Sequence, residues 1–484
     1  MNIILINSPW INNEKEYGVK SGARWAMIRK KDRTMPFFAF PFYLAYATSY
    51  LIKNGYNAIL RDSIAIEENK QQALDFIKKQ KADIVVIETS TPSIYHDIEF
   101  CNSVKNISEN IKVILCGPHV TALPEESLKN SKADYVMIGE YEQVLLNLVK
   151  AIETNSDISR IKGIAYKNNG NIIVNEREAL IENLDILPFP YRDKNIIHKY
   201  NEPSCKNYPN LPMMTSRGCP FKCIFCLESK VFYGKPKFRF RSMENVMDEI
   251  ELLIKDYNVK EIFFDDTYFP NSRAQELAEA ILKKGFKIYW SCWIDRNATY
   301  SLLELMKRAG CTGVKFGVES FSPEITKNAQ KKVEYDKLEE LVRNCKKLGL
   351  FTHASYMFGL PGETKETIEL TIKKAFELKT TTSQFSIATP LPGTDFYKLA
   401  KENGWLITDD WSKYEGAGTA VISYPELSAK QIEEGIKRVR KKKIISLIKN
   451  PPALIAFLWK LFKMKGFKGL LNEITQKAGF LFKK

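Results

Sequence analysis

TSRGCPFKCIFC, residues 215–226, sets three cysteines at Cys219, Cys223 and Cys226 in a C-x3-C-x2-C pattern. The run MMTSRG that leads into it reads as a strand, so the cysteines fall on the loop at that strand's carboxyl end. Five further strands are predicted downstream: EIFFDD, KIYWSC, GVKFGV, THASYMF and SQFSIA. Helical stretches such as SMENVMDEIELLIKDY and SLLELMKRAG lie between them. Six β/α units of this kind predict a partial, TIM-like (β/α)6 barrel over 211–400. Barrels carry their chemistry on the loops that follow their strands. The trio therefore sits at the expected catalytic mouth.

Three thiolates without a close fourth ligand do not make a closed structural zinc site, which wants four. A four-iron cube normally takes four cysteines. Held by three, it keeps one iron open to substrate or cofactor, as catalytic metal sites do. Phe221 and Phe225, between the thiols, would screen such a cluster from water. The other six cysteines, Cys101, Cys116, Cys205, Cys292, Cys311 and Cys345, stand apart and read as small buried hydrophobes.

The N-terminal part alternates in the same way. NIILIN, NAILRD, DIVVIE, KVILCG and DYVMIG read as strands, with helices near 41–54, 67–80, 95–108 and 141–153. This predicts a flavodoxin-like (Rossmann-type) parallel sheet over 1–154. Ligands of such sheets lie beyond the strand carboxyl ends, at the switch point in strand order. The loops there are SPW, ETSTPS, CGPH and GEYE. About 30 residues separate NIILIN from the helix near Pro41, long enough to predict an ordered lid. A connector over 155–210 contains one expected hairpin, GIAYKNNGNIIVNE.

Composition narrows the class. The 484 residues are 44% hydrophobic and 27% charged, as in a globular protein. The start, MNIILINSPW, lacks the basic flank of a secretory signal. The apolar run PPALIAFLW stops at Lys460, well short of the roughly 20 residues of a spanning helix. A cytoplasmic location is expected. The net charge of +15 is concentrated in the tail, where residues 436–484 hold 14 Lys and Arg against one acid, Glu473. The body is nearly neutral, so no nucleic-acid partner is expected.

On TSRGCPFKCIFC and the motifs behind it, the chain resembles the radical S-adenosylmethionine superfamily, and within it the branch with a cobalamin-binding domain and class B-type methyltransferases. The resemblance implies a [4Fe-4S] cluster on Cys219, Cys223 and Cys226, with S-adenosylmethionine chelating the open iron and cleaved by one electron to a 5′-deoxyadenosyl radical. It further implies S-adenosylmethionine contacts from Asp265, Asp266 and Thr267 in FFDDTYF, Arg296, and Glu319 in FGVES. Gly359 and Gly362 in MFGLPGE, with Thr394 in ATPLPGT, complete that set. The N-terminal sheet resembles cobalamin domains, with Thr89, Ser90 and Gly117 accommodating the nucleotide tail. Their cobalt-binding histidine in D-x-H-x-x-G is absent, since the first histidine is His96. His96 and His119 read as structural.

The reaction so implied is methylation of an unactivated carbon on a small-molecule or lipid-like substrate, with an external electron donor of the flavodoxin or ferredoxin type. Cyclisation, oxidation or rearrangement without methyl transfer is the alternative. A transfer-RNA methylthiotransferase would carry a second cysteine trio in its N-terminal domain, which here has only Cys101 and Cys116. A non-catalytic cobalamin or cluster sensor would not need the barrel motifs. The C-terminal region, 401–484, is expected to be helical and broken at Pro451-Pro452. Its lysines and apolar Leu454, Phe457, Leu458, Leu461 and Phe462 fit either a cap on the barrel or peripheral contact with the inner face of a membrane.

Overall fold

The computed structural model describes residues 1–13, 16–22, 25–30, 38–451, 454, 455, 458 and 459. The chain opens with β1 (Asn2–Asn7), then three short strands, β2 (Ile11–Asn13), β3 (Glu16–Ser21) and β4 (Trp25–Lys30). The N-terminal sheet continues with β5 (Asn57–Asp62), β6 (Ile84–Glu88), β7 (Lys112–Cys116) and β8 (Tyr135–Met137). β9 (Ile164–Asn168) and β10 (Asn171–Val174) complete it. The spatial order is β10-β9-β8-β7-β6-β1-β5. Its five parallel strands have the flavodoxin-like order, and the switch point falls between β1 and β6. β1, β6 and β7 are apolar almost throughout, because helices cover both faces.

Two expectations take a different form. The hairpin of the connector is the edge of this sheet, since β9 pairs antiparallel with β8. A short fifth strand leaves an open edge, and the hairpin covers it. The expected lid is a small antiparallel sheet, β2-β3-β4. It is anchored by Trp10, whose indole lies where a Cβ on Gly18 would stand, 1.8 Å from the nearest ring atom.

The second sheet consists of β11 (Asn210–Met213) and, beyond the cluster loop, β14 (Glu261–Phe264), β15 (Tyr289–Trp293), β16 (Cys311–Glu319), β17 (Phe351–Phe358) and β18 (Thr382–Ile387). All are parallel and neighbours in chain order, giving the partial barrel. The predicted first strand is in fact two. β11 joins the barrel sheet, the chain then bends, and β12 (Ser216–Cys219) pairs antiparallel with β13 (Lys237–Phe240). Gly218 permits this pairing: its φ is +85°, and a Cβ there would meet the Lys237 carbonyl oxygen at 2.0 Å.

The barrel floor is plugged by residues 202–210. Glu202 pairs with Lys315 at 2.9 Å, and Glu261 accepts from the backbone N–H groups of Lys206 and Asn207. The other barrel edge, β18, is covered by the helix Ala429–Ile448, in which Ile432, Ile436 and Val439 are buried. Its last turn leaves the body, with Ile445 and Ile448 exposed. Leu454 and Leu458 are half-buried, whereas Phe457, Leu461 and Phe462 lie outside the described residues. Among the described residues no helix is long and apolar enough to cross a membrane.

Candidate functional site

Cys219 ends β12, and Cys223 and Cys226 follow on the loop across the barrel mouth. Ile224, between them, fixes that loop with two backbone bonds. Its N–H donates to Ala329 beyond β16 at 3.2 Å, and its carbonyl accepts from Phe396 beyond β18 at 3.0 Å. The three cysteines are half-buried while the other six are buried. Burial pushes the Cys219 thiol up to about 12 and that of Cys226 to about 11. A metal cluster bound here would have to displace protons from these thiols.

Among the described residues, no three His, Cys, Asp or Glu side chains converge closely enough for a single metal ion. Three thiols spread around a loop suit a multi-iron cluster, in which each ligand binds a different corner. The donor set fits.

The residues expected to hold S-adenosylmethionine line the same mouth, with several already engaged by the protein. Asp266, after β14, is fully buried and accepts from the Thr215 N–H at 2.9 Å and from the Ser216 hydroxyl. It ties the start of the cysteine segment to the barrel. Burial raises its carboxyl to about 6. Its backbone neighbour Asp265 donates through N–H to Met213, and Thr267 donates to Glu228. Arg296 spans the loop after β16, donating to the carbonyls of Gly317 and Lys332 at 2.8 and 2.7 Å.

Glu319 ends β16 with φ +65°, a left-handed backbone that a glutamate rarely adopts and that clusters at functional sites. Its carboxylate pairs with Lys331, which the sequence reading overlooked. Both charges, with Arg296, lie near enough to act on the Cys223 thiol.

Gly359 and Gly362 follow β17, and Asn328 Nδ2 stands 2.7 Å from where a Cβ on Gly362 would be. Gly359 is held from both sides, by Glu363 on its N–H and by the Tyr424 hydroxyl on its carbonyl. Thr394 caps the helix Asp395–Glu402. Among the described residues, the buried carboxyl oxygens Asp266 Oδ2 and Glu363 Oε1 at this mouth have no partner. Unpaired buried acceptors are costly, and a bound polar ligand would satisfy them. The residues present fit such a cofactor.

The edge of the N-terminal sheet has the same property. Among the described residues, Asn7 Oδ1, Trp10 Nε1 and Glu88 Oε2 are buried without partners at or near the ends of β1 and β6, which flank the switch point. These orphans fit a large polar ligand there. Thr89, Ser90 and Gly117 lie beside them but are internally satisfied. Thr89 donates to the Cys116 carbonyl at 2.8 Å and Ser90 pairs with Ser93. A Cβ on Gly117 would stand 2.4 Å from the Thr89 carbonyl oxygen. Below them Lys20, delivered by β3, forms a fully buried pair with Asp97 at 2.5 Å. His119 is buried against Thr91 and driven to about 3, hence neutral, as a structural histidine is.

The two sites face each other. Arg217, in β12, donates to Glu140 at 2.7 Å and to Glu142 at 2.6 Å. Arg239, opposite it in β13, donates to Glu140 at 2.8 Å. The two glutamates belong to GEYE, just after β8, and are spent on this clamp. Tyr43 of the N-terminal helix Phe42–Lys53 donates to Glu228 at 2.7 Å. All these groups are buried. The carboxyl edge of the N-terminal sheet thus closes over the cysteine hairpin at the barrel mouth. Trp411, beyond the barrel, makes a second seam, donating to Glu126 at 3.0 Å and packing edge-on against His119.

Two family models match the chain, the Radical SAM superfamily over residues 213–375 and the B12 binding domain over 33–149. An uncharacterized methyltransferase of Pyrococcus horikoshii is 34% identical over 448 residues, 90% of this chain and 94% of that one. The chain belongs to the cobalamin-dependent radical S-adenosylmethionine methyltransferase family. It is therefore an enzyme whose cofactors are a [4Fe-4S] cluster, S-adenosylmethionine and cobalamin. The chain is also similar to an anaerobic magnesium-protoporphyrin IX monomethyl ester cyclase of Rubrivivax gelatinosus, 29% identical over 74% of this chain and 66% of that one. By fold, the chain is similar to the cobalamin-dependent S-adenosylmethionine radical enzyme OxsB, solved with aqua-cobalamin and S-adenosylmethionine. The TM-score is 0.69 at 15% identity, covering 98% of this chain and 74% of that one.

Proposed function

We propose that this enzyme methylates an unactivated carbon of a small-molecule or lipid-like substrate held between the two cofactor sites. One observation carries the reading: the carboxyl edge of the N-terminal sheet is clamped onto the cysteine hairpin by Arg217, Arg239, Glu140 and Glu142. When bound, the cluster and S-adenosylmethionine supply one-electron cleavage of a sulfonium, and cobalamin supplies a transferable methyl group. In this proposal Cys219, Cys223 and Cys226 hold the cluster. Asp265, Asp266, Thr267, Arg296, Glu319, Gly359, Gly362 and Thr394 shape the S-adenosylmethionine pocket, and Thr89, Ser90 and Gly117 the cobalamin tail site.

The protein's own part is positional. The buried clamp holds the two edges in one orientation, and orientation is where much of such a rate advantage lies. The closed seam keeps water from the space between them. An external low-potential protein would deliver the electron. The tail beyond Ile444 would supply any peripheral membrane contact.

Anaerobic incubation with a reductant, candidate extracts and methyl-labelled S-adenosylmethionine, followed by mass spectrometry, tests the reading. Label in a new carbon–methyl bond is the expected result. Formation of 5′-deoxyadenosine with an unmethylated, cyclised product would instead favour the cyclase reading, for which the 29% identity to the Rubrivivax cyclase speaks.

A further inference from the structure

Glu228 stands two residues beyond Cys226 and is 2% exposed. Its two oxygens are taken by hydroxyls from opposite sides. Tyr43 of the N-terminal domain donates to Oε1 at 2.7 Å, and Thr267, after β14, donates to Oε2. Tyr43 in turn contacts the Tyr233 hydroxyl at 2.6 Å. Among the described residues no lysine or arginine forms an ion pair with Glu228. The arginines nearby are committed elsewhere: Arg217 and Arg239 go to Glu140 and Glu142. A buried carboxylate with two neutral donors and no cation keeps most of its field, because little solvent screens it. Two residues along the chain from Cys226, that charge lies beside the proposed cluster ligands.

We infer that Glu228 is a positioning residue whose charge lowers the reduction potential of the cluster, with Tyr43 of the N-terminal domain setting how much of that charge the cluster feels. Reduction adds one electron, supplied by the external donor, to a site already beside a buried anion. The anion disfavours the added charge, so the reduced cluster is a stronger reductant toward the sulfonium. Charge and hydrogen bonding around a cluster are the general determinants of its potential. The hydrogen bond from Tyr43 adds a domain-level control. Seating the N-terminal domain brings a donor that partly offsets the carboxylate, so the potential depends on whether the two domains are closed.

The inference rests on a cluster being held by Cys219, Cys223 and Cys226, and the test separates the two. The full-length chain is reconstituted anaerobically, iron and sulfide are counted, and the potential is measured by titration monitored by electron paramagnetic resonance. Should the unsubstituted protein assemble no four-iron cluster, the reading beneath the inference fails. Given a cluster, Glu228→Gln, which keeps the shape and removes the charge, shifts the potential positive. Tyr43→Phe, which keeps the charge and removes a donor, shifts it negative. A purely structural role would move both variants alike, or neither. No shift in Glu228→Gln, or a positive shift in Tyr43→Phe, overturns the inference. Should Glu228→Gln fail to hold its cluster, the sign in Tyr43→Phe decides: negative supports it, zero or positive does not.

Discussion

Two of the contacts between the domains differ in their dominant chemistry. At the cysteine hairpin the contact is ionic and buried, with Arg217 and Arg239 against Glu140 and Glu142. At the far side it is aromatic, with Trp411 against His119, Tyr397 and Tyr414 and one hydrogen bond to Glu126. An apolar seam would hold the domains as well. A buried ionic pair seldom adds net stability over a well-packed apolar one, but it demands a specific geometry. The ionic seam is the one next to the cysteines, where geometry matters for chemistry. The aromatic seam lies further out and needs only to adhere.

The largest expected effect lies at the hairpin itself. Cys223→Ala removes one of three cluster ligands and should abolish both iron retention and 5′-deoxyadenosine formation, measured by iron analysis and chromatography. Fold should be kept, because the cysteine is half-buried and packs no core.

Next comes the ionic seam. Arg217→Met leaves Glu142 buried with no cation and Glu140 with only Arg239. Stranding a buried charge costs about 3–5 kcal/mol, which thermal or urea unfolding would register. A loss below ~1 kcal/mol would show the seam to be wet and weak. On the aromatic side Trp411→Phe keeps one aromatic ring and loses the indole N–H that donates to Glu126, a loss of about 1 kcal/mol for that bond. If the second variant were the more damaging one, the contrast drawn above would be inverted.

The last effect is read as a slope in pH rather than as a single loss. Burial raises Glu363, which accepts from the Gly359 N–H, to about 8 against 4.5 for the free group. Between those values the folded chain binds more protons than the unfolded chain, so stability falls as pH rises through this window. Glu363→Gln should flatten that slope in unfolding measured from pH 5 to 9, and leave stability near pH 5 little changed. An identical slope in the variant would remove Glu363 as its source.

Much of this was legible in the sequence. The barrel strands stand out because β-branched and aromatic runs end in turn residues, and the cysteine spacing needs no structure to interpret. What stayed hidden depends on long-range pairing. KFRF, the partner of β12, alternates charge and aromatic too briefly to announce a strand, so from the sequence the hairpin that carries Cys219 reads as one barrel strand. The strands β2, β3 and β4 follow no apolar pattern. GEYE reads as a ligand loop, and only the fold shows its two glutamates 2.6–2.7 Å from Arg217. Glu228, Lys331 and Tyr43 carry no motif at all. Tyr43 and Glu228 meet only through the domain closure that brings residue 43 to residue 228, and Lys331 meets Glu319 only through the barrel fold; no local spacing encodes either.

Mössbauer spectroscopy of the anaerobically reconstituted, iron-57-enriched protein, with and without S-adenosylmethionine, tests the central claim most directly. A four-iron cluster in which one iron alone changes its spectrum on addition of S-adenosylmethionine is the result predicted. Four irons that are indifferent to S-adenosylmethionine, or iron that forms no four-iron cluster, would contradict it.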